Sequence, residues 1–181
     1  MIDSLNLLEI YLQEYQTLKA EQTARIGFRD NLLYVTIAVF GGILSFTLAN
    51  KNYYALLIVP WVCLILGWTY LVNDEKISAL SRYMRYDLTE RIAKLTNQST
   101  IDGIFGWEIA HRSDLNRKRR KIQQLIIDQL TFVLSGIISL IAFWILIPKI
   151  SISLWILSIV ELLLILVLGI EIIIYSDLAK G

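Results

Sequence analysis

The sequence predicts an all-α integral membrane protein, with four transmembrane helices as two hairpins and long cytoplasmic helical extensions. Three observations carry that expectation. Of 181 residues, 56% are hydrophobic and 18% charged, with a mean hydropathy of +0.58. Soluble domains run about half apolar and about a quarter charged. Charge is withheld from four long stretches rather than thinned evenly along the chain. Seventeen basic residues against sixteen acidic ones leave a net charge of +1, so bulk charge selects no partner. Two prolines and nine glycines argue against a linker-rich chain. The single cysteine, Cys63, excludes a disulfide framework and a cysteine-based zinc site.

Residues 1–30 read as an amphipathic cytoplasmic helix. Leu5, Leu8, Leu12, Tyr15 and Leu18 recur at spacings of 3, 4, 3 and 3, with Glu9, Glu14 and Glu21 off that stripe. Nothing interrupts the pattern before Gly27, so this helix is expected to run almost directly into the first span. The acidic start has no basic n-region, which argues against a cleaved signal peptide.

The first hairpin occupies 31–73. Twenty uncharged residues, 31–50, and twenty-two more, 52–73, are separated by Lys51 alone. At ~1.5 Å per residue, about 20 residues cross the ~30 Å hydrocarbon core of a bilayer. Pro60 is expected to kink the second span or to mark its true start.

The region 74–128 reads as cytoplasmic and helical. Ile77, Leu80, Met84, Leu88, Ile92 and Leu95 recur at 3, 4, 4, 4 and 3, and this stripe is expected to pack on the N-terminal one or on another subunit. Small polar residues and two glycines near 96–106 read as a loop, with Ile104, Phe105 and Trp107 placed to pack on the helices. A further helix from Trp107, carrying Ile109, Leu115, Ile122, Leu125 and Ile126, leads into the second hairpin, 129–176. Its spans are 129–148, uncharged, and 150–176, interrupted only by Glu161 and Glu171. The tail, 177–181, returns to the cytoplasm. Tyr53, Tyr54, Trp61, Trp144 and Trp155 lie near the two hairpin turns, where amphipathic rings favour the interface.

Orientation follows from lysine and arginine. Eleven fall between Asp74 and Asp128, three in the N-terminal segment and one in the tail, fifteen on one side against Lys51 and Lys149 on the other. The positive-inside rule therefore places the central region and both ends of the chain in the cytoplasm.

The stretch EYQTLKAEQTARIGFRDNLLY, followed by VNDEKISALSRYMRYDL, is similar to small uncharacterised bacterial four-span membrane proteins, over roughly residues 14–88. The resemblance implies the bacterial plasma (inner) membrane and brings no activity with it. More loosely, spans flanked by cytoplasmic helices resemble the membrane effectors of anti-phage signalling systems, without any visible sensor domain.

Several residues stand out as candidates for chemistry. Glu161 lies within a turn of the middle of its span, where a carboxylate costs ~2.5–3.5 kcal/mol on insertion scales. It reads either as a proton or cation site or as a neutral carboxyl hydrogen-bonded to Trp or to a hydroxyl such as Ser135, Ser139, Thr47 or Thr69. Glu171, ten residues on, sits where it reaches headgroups or a basic partner. Arg117, Lys118, Arg119, Arg120 and Lys121 read as an anionic-lipid or topology cluster, because no stacking aromatics interleave them as nucleic-acid binding would require. Ala38, Gly41, Gly42 and Ser45 in the first span, and Ser135 and Ser139 in the third, fit the small-residue pattern of closely packed membrane helices.

Catalysis is not expected. His111 is the only histidine, the spans hold no histidine, lysine or aspartate, and no phosphate-binding loop or serine elbow occurs. No cofactor or metal is implied. The expected partners are the lipid bilayer and a second copy of the chain, with room for a cytoplasmic protein and no role for nucleic acid. The preferred function is a self-associating interaction module or a membrane-permeabilising effector; the alternative is a small ion or proton channel or transporter using Glu161.

Overall fold

The computed structural model describes residues 4–96, 105 and 116–176, and every regular element among them is helical. Four stretches are long and apolar enough to cross a membrane: Leu5–Asn50, Tyr53–Thr96, Lys118–Leu146 and Ile152–Tyr175. The loop near 96–106 (Phe105 aside), most of the helix expected from Trp107, and the tail 177–181 lie outside the described residues.

Helix α1, Ser4–Asn50, runs 47 residues without a break, about 70 Å at α-helical rise. Lys51, with φ 52°, closes it in the left-handed conformation that a glycine more often supplies. A 3₁₀ turn, Tyr53–Leu57, leads into α2, Ile58–Tyr83. Pro60 is the third residue of α2, in the first turn where its missing N–H has no intrahelical partner to lose. It marks the start of the α-helix.

After α2 come a π-helical turn, Met84–Leu88, and α3, Thr89–Thr96. Helix α4, Arg117–Asp128, passes through a second π turn, Gln129–Leu134, into α5, Ser135–Leu146. Ile147 is extended, and after Ser151 the chain enters α6, Ile152–Tyr175.

Each π turn answers a fault in the apolar spacing. Four residues of an α-helix turn through about 400°, so residues repeated at four drift about 40° per step. Leu80, Met84, Leu88 and Ile92 make three such steps, yet Met84, Leu88 and Ile92 are all buried. Asp128, Phe132, Gly136 and Leu140 make three more, and all four are buried. A wider turn inside each run absorbs the drift and keeps the residues on one face. The carbonyls displaced there find local donors: Thr89 Oγ1 donates to the Met84 carbonyl at 2.8 Å, and Ser135 Oγ to the Leu130 carbonyl at 3.0 Å, each five residues back.

Helix α2 is central, touching α1, α5 and α6. Val59, Cys63 and Tyr70 pack with Phe132 of the second π turn and Ile165 and Leu168 of α6. A second cluster joins Leu56 and Leu57 to Leu140, Phe143 and Ile147. Gly67 permits this approach: a Cβ there would stand 2.8 Å from Leu168 Cδ2 and 3.0 Å from Phe132 Cγ.

The two amphipathic stripes meet different fates. Ile77, Met84, Leu88 and Ile92 are buried, and Phe105 stacks on Tyr15 at 3.7 Å between centroids. Leu5 and Leu12 remain exposed, at 71% and 43%. One stripe is covered within the chain and the other only in part.

Replacing Gly67 by valine is expected to destabilise the fold by about 1–3 kcal/mol through overpacking against Leu168 and Phe132. Thermal unfolding of the detergent-solubilised protein checks this, and an unchanged Tm would contradict the tight fit.

Candidate functional site

Polar side chains inside the apolar part of the bundle have few places to send their hydrogens. Thr36, Thr47 and Thr69 donate to carbonyls one turn back, at 2.7–2.8 Å. Ser135 donates to Leu130, and Ser139 reaches across to the Leu56 carbonyl at 2.6 Å. The four hydroxyls expected to satisfy Glu161 are thus each committed to backbone, since a hydroxyl carries only one hydrogen.

Glu161 lies on the buried face of α6 with Ser158, Ile165, Leu168 and Ile172, at spacings of 3, 4, 3 and 4. It is 2% exposed. Neither carboxyl oxygen has a hydrogen-bond partner. The Trp61 indole of α2 interacts with the carboxyl but falls short of hydrogen-bond geometry. Ser158, one turn away, is occupied otherwise: it accepts from Trp144 Nε1 at 3.0 Å and donates to the Trp155 carbonyl at 3.0 Å. Trp144 and Trp155 stack beside it, 5.6 Å between centroids. The expectation of a hydroxyl partner for Glu161 is therefore corrected.

The other residues marked by the sequence do not gather around Glu161. Glu171 is half-buried, about 15 Å further along α6 by helical rise. It makes no hydrogen bond or ion pair among the described residues. Lys118, Arg119 and Arg120 are exposed on α4 and Lys121 is half-buried. Arg117 begins that helix, and its side chain lies outside the described part. Ala38, Gly41, Gly42 and Ser45 are all exposed, and a Cβ at Gly41 or Gly42 would meet nothing within 4 Å. Close helix approach within the chain falls to other small residues, Gly67 among them, and to Ser139.

A second polar assembly escaped the sequence reading. Arg29 Nη1 of α1 donates to Asp74 Oδ1 of α2 at 2.7 Å, and its other nitrogens reach Asp30. Gln124 of α4 donates through Nε2 to the Tyr70 hydroxyl at 2.7 Å and to Asp128 Oδ1 at 2.9 Å. Along the same edge Asn73 Nδ2 donates to the Arg25 carbonyl at 2.7 Å, Gln22 Nε2 to Ser81 Oγ at 2.6 Å and the Tyr83 hydroxyl to Glu14 Oε1 at 2.7 Å. Partner numbers on α2 fall as those on α1 rise, so the two helices run in opposite directions here.

The legible signal was the flanks of the uncharged runs. Arg29 and Asp30, Asp74 and Asp128 are the charges bordering three of those runs on one side. Adjacent spans bring such flanking charges to one level. Asp128 stands just before the run 129–148, and burial pushes its carboxyl up to about 6, against opposing hydrogen bonds from Tyr70 and Gln124.

No family model matches the chain, and no curated protein or solved structure is significantly similar to it.

The raised Asp128 pKa sets a direction for pH dependence. Between about 4, its ordinary value, and about 6, the folded chain binds more proton than the unfolded one. Stability is therefore expected to fall as pH rises through that window. Melting curves from pH 4 to 7 should show the slope in the native chain and a flatter response in Asp128→Asn; equal slopes would contradict it.

Proposed function

We propose that this is a non-enzymatic multi-pass protein of the plasma membrane. Its four spans form two hairpins, with both ends of the chain cytoplasmic, and it self-associates through its N-terminal helix. The topology rests on the four apolar helices and on the fifteen-to-two division of basic residues.

Self-association rests on one observation: Leu5, Ile10 and Leu12 are 71%, 53% and 43% exposed on a continuous helix. Leu12 precedes the uncharged run 31–50 by nineteen residues, about 28 Å of helix. A bilayer that holds residues 31–50 in its core does not cover side chains that far away. Apolar surface left in water is stabilised by burial against protein. A second copy presents the same stripe, which suits a symmetric, self-complementary contact. The open face at Ala38, Gly41, Gly42 and Ser45 offers the same helix a close-packing seam within the bilayer.

Native mass measurement in detergent is expected to give an oligomer. Leu5→Gln combined with Leu12→Gln should shift it towards monomer while helicity is retained, because neither side chain is buried in the chain. A monomeric native protein would overturn the proposal.

The burial of Glu161 without a hydrogen-bond partner favours a second reading, a small proton or ion conduit. Reconstituted vesicles test it. Flux is expected to fall at least tenfold in Glu161→Gln. Flux that persists in the variant points to permeabilisation by the assembly, and absence of flux in the native chain removes conduction.

A further inference from the structure

We infer that the groove between α1 and α2 at the charged edge of the bundle binds the headgroup of an anionic glycerophospholipid. The groove, about 310 Å³, is lined by Arg25 and Phe28 from α1 and by Trp68, Thr69, Asn73 and Lys76 from α2. It straddles the border at which the uncharged run 52–73 ends. On the apolar side, Trp68 and Phe28 are exposed, a surface that suits acyl chains and the interface. On the charged side stand two cations and no carboxylate within the lining. An uncharged headgroup would leave those cations unmatched, whereas a phosphodiester with a net negative charge complements them.

The donors are arranged for such a ligand. Lys76 is exposed and makes no hydrogen bond or ion pair among the described residues. Arg25 directs Nε and Nη2 to Glu21 at 2.8 and 2.6 Å, and Nη1 to Asn73 Oδ1 at 3.3 Å. A guanidinium carries five hydrogens, so these three bonds leave two. Asn73 fixes the mouth by donating to the Arg25 carbonyl at 2.7 Å, and it ties the two walls together. Glu21 neutralises part of Arg25, which leaves Lys76 as the principal electrostatic contact. The site is separate from the basic run on α4, and the inference rests on the chain spanning a bilayer, not on its self-association.

The full-length protein in detergent is titrated with phosphatidylglycerol or phosphatidylcholine, and retained lipid is read by native mass. Preferential retention of phosphatidylglycerol is expected, weakened roughly fivefold in Lys76→Gln and more in Lys76→Gln with Arg25→Gln. Lys118→Gln with Arg119→Gln should keep the preference. Lys76→Gln removes no contact within the chain, so it reports on binding even where the Arg25 variant misfolds. Equal retention of the two lipids, or an unchanged preference in Lys76→Gln, overturns the inference. Displacement by excess sn-glycerol 3-phosphate overturns the lipid assignment in favour of a soluble phosphate.

Discussion

Apolar side chains surrounded by lipid gain little by exchanging lipid for one another, so the hydrophobic effect does not tell membrane helices how to pair. Everything specific about this bundle must come from shape and from a small number of polar contacts. Shape is set where Gly67 lets Phe132 and Leu168 close on α2. Polar specificity is set along the edge from Tyr83 and Glu14 to Arg29 and Asp74, where α1 is held to α2 by long-range hydrogen bonds. Within the apolar part α1 has little comparable attachment, and its threonines bond to their own helix. The helix is therefore anchored at one end and open along much of its length.

That arrangement links the two functional readings. An open α1 leaves surface for a second copy, both at the small residues and along Leu5 and Leu12. The closed interior around α2 holds the one carboxyl that the spans bury completely. If copies meet through α1, Glu161 stays inside each copy, because it lies on the α6 face that packs against α2. Assembly and the buried acid then occupy separate parts of the molecule and can be perturbed one at a time.

The helical elements were largely legible because they depend on local features. Absence of charge over about 20 residues marks a helix able to cross a membrane whatever it packs against, and the stripe containing Ile77, Met84 and Ile92 shows periodicity that needs no tertiary knowledge. The site was less legible. The spacing of Glu161 told that it was unusual, but not that Ser139 would turn to Leu56 and leave the carboxyl alone. Gln22 with Ser81, or Tyr70 with Gln124, are partners more than fifty residues apart, and no periodicity announces them. The small-residue pattern pointed to α1, whereas the chain packs its own helices on Gly67, a lone glycine that fits no spaced motif.

The π turns carry a consequence for how this chain tolerates change. Each holds one residue more than an α-helical turn, so it acts as a phase shifter between the stretches on either side. Losing one residue within 84–88 or 129–134 need not break the helix; it would restore ordinary winding. It would also rotate all that follows by about 100° relative to what precedes. Deletions there would thus leave helicity intact and misdirect the faces, uncoupling the charged segment from the spans without unfolding either.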